Sequence, residues 1–331
     1  MNAPRATAED YIAFLVATPS EGTAAEMGRC QPVRPGAPAH DAFTRLLNRP
    51  EPDPEALWAE GRPLLPPDGV LVFDDAVLDK PFARHMGLVG RFRSGRHGRV
   101  VQGINLVTAV WTDGDGLWPR GYRLVDESAG DGTKNDHLRG MLATAAARGW
   151  RPRCVCSDAW YPGPDDLKAV RGRGWVFLAQ VRSNRRVNPD RAGNRAISDR
   201  GIAATGTVVH LEGFGLVRAF RIVAANGGTE YWVTSEWGMD EAARLGFAER
   251  AWGIEECHRG LKQHTAVDRC QTRMGQAERN HVGFALRAFV RLEWHRFTTG
   301  VSGYAAELGI IREAVRGYLA QPTYLLPTAT A

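Results

Sequence analysis

A long β-branched run that ends at a tight turn restricts the fold of this chain more than any other feature. Residues 100–111 are apolar and β-branched, and the sequence Asp-Gly-Asp-Gly follows at 113–116. Aspartate–glycine pairs are typical of hairpin turns. The sequence therefore predicts an antiparallel hairpin in which residues 117–125 form the returning strand.

Sequence signals before and after this hairpin predict further strands and a helix. The continuous apolar run 70–73 predicts a strand buried on both faces. Thr133 and Asp136 fit a capping box that opens a helix closed near Gly149, and residues 153–157 predict a further strand. Three antiparallel strands, a helix and a fourth strand are the element order of an RNase H-like core. We therefore expect an α/β fold with an RNase H-like mixed sheet and flanking helices.

The chain divides into four segments by pattern. Residues 1–66 predict a small helical N-terminal region, which is either a DNA-binding unit or a helical cap without a ligand. Residues 67–182 are expected to form the first part of the core, and residues 183–238 a mostly β insertion. Residues 239–331 return to a helical pattern and are expected to complete the core. Helical spacing in the first segment covers residues 8–16, 23–29 and 41–48.

Two aspartates follow predicted core strands. Asp75 comes just after the apolar run 70–73, and Asp158 just after the strand predicted over 153–157. Binding and catalytic sites in open α/β sheets lie at strand ends, so both carboxylates lie where an active site is expected. Acidic residues at strand ends also cap helices or occupy turns, which is the alternative for each aspartate taken alone.

A third carboxylate lies on a helix predicted over residues 248–264. Glu255, Arg259 and Lys262 recur at i, i+4 and i+7, so they project from one face. The carboxylate suits a metal, and the two cations suit a phosphate backbone. The alternatives are a surface ion pair between Glu255 and Arg259, and Glu256 as the active carboxylate.

These three carboxylates are the set that two-metal phosphoryl transfer requires. Mg²⁺ prefers hard oxygen ligands and keeps several waters, so few carboxylates suffice. Two ions about 3.5–4 Å apart clamp the attacking and leaving oxygens of an in-line displacement. We expect two Mg²⁺ ions, for which Mn²⁺ substitutes, held by Asp75, Asp158 and Glu255, with Asp75 as the bridging ligand.

Charge and composition agree with a polyanionic partner and exclude several classes. The net charge is +5, nearly all of the positively charged side chains are arginines, and the five cysteines show no C-x2-C zinc spacing. No apolar run reaches the roughly 18 residues of a membrane span, and no signal-peptide pattern begins the chain. No P-loop, strand-anchored dinucleotide fingerprint or G-x-S-x-G motif is present. We expect a cytoplasmic protein with buried free thiols.

Three blocks resemble the cut-and-paste insertion-sequence transposases of the DDE superfamily, in the subgroup marked by a Tyr-Arg-Glu-Lys helix. Residues 72–81 (VFDDAVLDKP) resemble the first-aspartate block, and residues 156–161 (CSDAWY) the second. Residues 252–262 match the pattern W-x-I-E-x-x-[HF]-x-x-x-K. The sequence departs from the family pattern at Ala248 and Ala251, where relatives have the Tyr and Arg.

The resemblance implies a bacterial, nucleoid-associated DNA transposase that cleaves transposon ends and joins them to a target. Its partners would be terminal inverted repeats and target DNA, held in a synaptic complex by a homodimer, with Asp75, Asp158 and Glu255 as catalytic residues. In relatives a Trp of the insertion stacks on a flipped base, and Trp232 or Trp237 is the candidate here; packing within a strand is the alternative. The residues expected to contact DNA are Lys262, Arg259, His258, Arg250, Lys80, Trp232, Arg93 and Arg96.

Two other functions stay open from the sequence. One is a transposase-derived protein that binds DNA without cutting it, which the alanines at 248 and 251 motivate. The other is an RNase H-like, structure-selective nuclease that cuts without joining. Metal-dependent cutting separates the first from an active enzyme, and strand joining separates the second.

Overall fold

A mixed sheet with helices on both faces forms the framework of the protein. The computed structural model describes residues 5–18, 22–64, 66, 68–223 and 227–321. The helices are α1 Ala8–Ala17, α2 Ala24–Arg29, α3 His40–Asn48, α4 Pro54–Gly61, α5 Lys134–Ala147, α6 Pro164–Arg171, α7 Glu241–His264, α8 Gly275–Thr299 and α9 Gly303–Ala320. The strands are β1 Val70–Asp79, β2 Gly90–Ser94, β3 Arg99–Thr112, β4 Leu117–Leu124, β5 Cys154–Ser157, β6 Phe177–Val181, β7 Arg186–Asn188, β8 Arg195–Ala196, β9 Thr207–Leu211, β10 Gly215–Val223 and β11 Thr229–Thr234.

The centre of the sheet has the predicted RNase H-like order. β3 lies antiparallel to β1, and β1, β5 and β6 run parallel to one another. The predicted hairpin is the β3–β4 pair, and its turn places Gly114 at φ 111°, where glycine is favoured. The predicted capping box is also present, since the side chains of Thr133 and Asp136 each accept a hydrogen bond from the other's backbone N–H. The α/β prediction is confirmed.

Successive side chains of β1 face two different hydrophobic layers. Val70 and Val72 pack with α7 and α8, whereas Leu71 and Phe73 face the layer that contains α5 and α6. Successive side chains of a strand point to opposite faces of the sheet. The two aspartates that continue this strand therefore point to different layers.

Three elements differ from the prediction. β1 extends to Asp79, because the acidic pair at 74–75 interrupts the apolar run without ending the strand. β2 was not predicted, since only one of its two buried positions is apolar (Phe92; the other is Ser94) between exposed arginines. α4 was also not predicted; it begins at Pro54, and Asp53 caps it by accepting hydrogen bonds from two backbone N–H groups.

The predicted β insertion continues the same sheet. β11 pairs with β6, β10 pairs with β11 and β9, and β7 and β8 complete the edge. This segment is mostly β, as its pattern predicts, and its first part holds the short β7–β8 pair. The division into four domains stays a prediction. Residues 322–331, part of the helical segment predicted over 239–331, lie outside the described residues.

The N-terminal helices pack as a cap on α8. Tyr11, Phe43 and Leu57 of α1, α3 and α4 are buried in the hydrophobic layer that contains α8. The Tyr11 hydroxyl lies 2.8 Å from Nδ1 of His281, whose Nε2 lies 2.9 Å from the carbonyl of Ala266. A carbonyl only accepts, so Nε2 carries the proton and Nδ1 accepts from Tyr11. This bond ties α1 to α8 through a neutral imidazole.

We expect His281→Gln to reduce the dependence of stability on pH. Burial lowers the pKa of His281 to about 4, so between pH 6.5 and 4 the unfolded chain binds a proton that the folded protein does not. Stability from this group is therefore complete above pH 6.5 and lost as pH falls. Between pH 7 and 5 the loss in unfolding free energy should be smaller by about 2 kcal/mol in the variant. Urea unfolding at both pH values measures this, and equal losses in the two proteins would contradict it.

Candidate active site

A cavity opens where β5 stops and β1 continues. The parallel pairing of these strands ends at Phe73 and Ser157, and β1 runs on to Asp79. Among the described residues no strand pairs with β1 on that side beyond Phe73. The cavity has a volume of about 330 Å³. It is lined by Asp74, Asp75, Val77, Arg93, Gly95, Lys134, Asp158, Ala159, Trp160, Arg182 and Glu255.

Asp75 points to the layer of α5, and its carboxylate accepts three hydrogen bonds. Its Oδ2 accepts from the Asn105 amide at 2.6 Å and from the Lys134 ammonium at 2.6 Å. Its Oδ1 accepts from the Tyr161 hydroxyl at 3.0 Å. Lys134 is the first residue of α5, so the predicted capping box positions the cation beside this carboxylate.

Asp74 points to the opposite layer and faces α7. Its Oδ2 lies 3.8 Å from Nδ1 of His258, and Nε2 of His258 lies 2.7 Å from the Thr108 hydroxyl. Among the described residues no lysine or arginine forms an ion pair with Asp74. Sequence reasoning did not select Asp74, although strand alternation signals that two adjacent aspartates present carboxylates to both faces.

Asp158 begins a turn that places an aromatic ring between two cations. Its Oδ1 accepts a hydrogen bond from the backbone N–H of Trp160 at 3.0 Å. The Lys134 ammonium lies 5.0 Å and the Arg182 guanidinium carbon 5.3 Å from the centre of the Trp160 ring. These cation–π contacts hold two positive groups beside the acidic cavity.

The carboxylate of α7 that lines this cavity is Glu255, and its neighbour lines a different one. Glu256 lines a cavity of about 720 Å³ together with Arg250 and Trp252. Glu255 is exposed and forms no ion pair with Arg259, both being described residues. The arrangement therefore favours Glu255 over Glu256 and differs from a surface ion pair.

Burial and mutual repulsion shape the ionisation of the site. Burial, followed by the charges of Asp158 and Asp75, raises the pKa of Asp74 well above its usual value. Burial also raises the pKa of Asp158, with a further contribution from Asp75. Burial lowers the pKa of His258 to about 4, so its imidazole is neutral at pH 7 and does not offset the Asp74 charge. The cavity concentrates acidic groups that a cation would stabilise.

The other candidate residues are dispersed. Arg93 lines the acidic cavity, and Arg96 is exposed in the turn between β2 and β3. The Lys262 ammonium donates to the carbonyl of Val77 at 3.2 Å. Two candidates do not line the acidic cavity. Arg250 lines the cavity of Glu256, and the indole of Trp232 donates to Glu230 at 3.1 Å.

Lys80 is half-buried, and backbone carbonyls bind its ammonium. Its ammonium donates to the carbonyls of Asp268 and Cys270 at 2.6 and 2.5 Å. Burial lowers its pKa. These contacts occupy the ammonium with backbone carbonyls and indicate a structural role.

The donor set of the cavity fits a hard divalent cation. Four carboxylates line it, and carboxylate oxygen is the ligand that Mg²⁺ and Mn²⁺ prefer. The Lys134 ammonium already occupies a cationic position at Asp75. Within the described part of the chain, no three His, Cys, Asp or Glu side chains converge closely enough to form a complete metal site. Side-chain rearrangement would therefore accompany metal binding.

Comparison with known proteins places this chain in a family. A family model described as DDE superfamily endonuclease matches residues 2–201, more than half of the chain. The protein belongs to the DDE superfamily of endonucleases. Enzymes of this superfamily generally use divalent metal ions. The matched residues include Asp74, Asp75 and Asp158, and they end before α7.

A solved structure shares the fold. The piggyBac transposase synaptic complex with hairpin DNA is similar with a TM-score of 0.53 and 11% sequence identity. The alignment covers 98% of this chain and 76% of that chain. No functionally curated protein matches the sequence. Among the described residues no helix is both long and apolar enough to cross a membrane.

Removal of any cavity carboxylate should weaken Mn²⁺ binding. We expect Asp74→Asn, Asp75→Asn, Asp158→Asn and Glu255→Gln each to lower the affinity at least about tenfold, because each removes a charged oxygen donor. Calorimetric titration with Mn²⁺ alone measures this. Glu256→Gln is the matched control, since its carboxylate lines another cavity. An affinity that falls only in the control would refute the assignment of the site.

Proposed function

We propose that the protein is a DNA transposase, which cleaves DNA at transposon ends and joins the ends to a target. The observation that carries this proposal is that Asp74, Asp75, Asp158 and Glu255 line one cavity, where β1 extends beyond its parallel neighbour β5. Membership of the endonuclease superfamily supports cleavage. The DNA-bound transposase of the same fold supports DNA as the substrate.

The cavity carboxylates would hold the metal. Asp75, Asp158 and Glu255 are the proposed ligands for two Mg²⁺ ions, and Asp74 is a fourth candidate because it faces α7, the helix of Glu255. Such ions would supply activation of an attacking water or 3′-hydroxyl and stabilisation of the leaving oxygen. The Tyr161 hydroxyl and the Asn105 amide orient the Asp75 carboxylate.

Cationic side chains around the cavity suit the DNA backbone. Arg93 and Arg182 line the cavity itself, and Arg96 and Arg259 are exposed. Arginine binds phosphate through a planar pair of N–H donors. We propose that these residues position the scissile strand and that Lys262 stabilises β1 against α7 through the Val77 carbonyl. A homodimer holding two transposon ends is part of the same proposal.

One observation favours a second candidate function, DNA binding without cleavage. The Lys134 ammonium forms an ion pair with Asp75 at 2.6 Å, so one candidate ligand has a cation of its own. The alanines at positions 248 and 251 also replace two residues of the family pattern. This candidate predicts end binding with no metal-dependent nicking.

Nicking of a duplex that carries the element's own terminal repeat tests the proposal. With Mg²⁺ or Mn²⁺ the wild type should cut, and Asp75→Ala, Asp158→Ala and Glu255→Ala should each slow cutting at least about 100-fold, since each ligand supports several kcal/mol of transition-state stabilisation. Glu256→Ala should cut like the wild type. Comparing Asp74→Asn with Asp75→Asn identifies which face of β1 supplies the essential aspartate.

Each result of this experiment has one meaning. Binding of the repeat without cutting by the wild type would favour the non-catalytic candidate. Cutting without joining would favour a structure-selective nuclease. Cutting that survives Glu255→Ala and is lost in Glu256→Ala would mean that the neighbouring carboxylate acts.

A further inference from the structure

An almost fully exposed phenylalanine follows the strand that carries the candidate aspartates. Phe82 is 93% exposed in the segment after β1. It borders a cavity of about 550 Å³ between this segment and residues 268–273. A single exposed apolar residue is ordinary on a protein surface, so its surroundings decide whether Phe82 has a role.

Partly buried hydrogen bonds fix the segment before and around Phe82. The Lys80 ammonium is bound by the carbonyls of Asp268 and Cys270. The Gln102 side-chain amide donates to the carbonyls of Lys80 and Ala83, on both sides of Phe82. The Ala83 backbone N–H donates to the Lys80 carbonyl at 3.1 Å and closes a turn. Phe82 is therefore the tip of a hydrogen-bonded turn.

The other end of the segment is anchored to α8. The buried Glu278 carboxylate accepts hydrogen bonds from the backbone N–H groups of Gly87 at 3.1 Å and Leu88 at 2.9 Å. The Gly87 N–H also lies 3.0 Å from the carbonyl of Arg273. A half-buried lysine and a buried glutamate thus hold a turn whose most apolar side chain faces solvent. Preorganisation of this kind lowers the entropy cost of binding a ligand.

The cavity beside Phe82 is cationic. Arg84, Arg269 and Arg273 line it and are exposed. Its acidic side chains already have cationic or polar partners: Asp79 lies 2.7 Å from His97, and Asp268 lies 3.6 Å from Arg269. Among the described residues Arg84 and Arg273 form no ion pair. An aromatic ring beside unpaired arginines is the combination that binds single-stranded nucleic acid.

We propose that Phe82, Arg84, Arg269 and Arg273 bind an unpaired nucleotide of the DNA next to the cleavage position. The base stacks on Phe82, and the arginines contact the adjoining phosphates. Asp79 lies four residues beyond Asp75 on β1, on the order of 13 Å along the strand. DNA that enters the acidic cavity therefore reaches this surface within a few base steps. The inference rests on the proposed function for its choice of DNA.

The test compares a duplex that has three unpaired nucleotides at one 3′ end with the same duplex made blunt. Binding is measured by fluorescence anisotropy in EDTA, so no cleavage occurs. Phe82→Ala should weaken binding of the unpaired-end duplex about tenfold and change binding of the blunt duplex less than about twofold. Phe82→Tyr should restore the preference, because a ring is retained. Arg84→Ala should lower the slope of log affinity against log salt by about one.

Phe297→Ala is the matched control, since it removes the same side chain from another exposed position. Phe297 is 51% exposed and lies about 33 Å along α8 from Gly275, near the anchored segment. Equal losses on both duplexes, no loss in Phe82→Ala, or the same loss in Phe297→Ala would overturn the inference. A preference that depends on Phe82 in a protein that never nicks DNA would uphold the inference and refute the proposed enzyme. Nicking by a protein whose binding shows no Phe82-dependent preference for the unpaired end would support the proposed enzyme and refute this inference.

Discussion

The difference in length between two parallel strands determines where this protein can act. β5 leaves the sheet at Ser157, and β1 continues alone on that side. A strand that is buried on both faces normally separates two layers completely. Here the missing neighbour lets Asp74 and Asp75 reach the same opening from opposite faces. The remaining carboxylates come from the end of β5 and from α7, so each packed layer contributes to the site.

Cationic side chains offset part of the negative charge in this opening. Lys134 begins α5 and Arg182 follows β6, and both are held against Trp160 beside the carboxylates. These two cations therefore come from elements other than those that carry the carboxylates. His258 adds none, because burial keeps its pKa at about 4. The group nearest to Asp74 on α7 is therefore a neutral imidazole, whereas Asp75 has a lysine ammonium of α5 as its partner.

The sequence predicted most elements because their signals were local. The hairpin turn and the capping box at Thr133 each depend on residues close in the chain. β2 was not predicted because its arginines conceal a short edge strand. The candidate site was only partly predictable. Strand alternation indicates that Asp74 and Asp75 diverge, but which layer lies over each depends on packing. The contacts of the Lys80 ammonium could not be predicted, because the carbonyls that bind it belong to residues almost 190 positions further along the chain.

The continuity of the sheet has a mechanical consequence. β11 is hydrogen-bonded to β6 from Leu178 to Val181, so the insertion is an extension of the core and not an arm on a hinge. Moving it would break a ladder of backbone hydrogen bonds. A double helix that contacts both the acidic cavity and the insertion must therefore adapt its own path to a stiff protein surface. The elastic energy of that path varies with base sequence. Steps that bend easily would then be favoured at positions that no side chain reads.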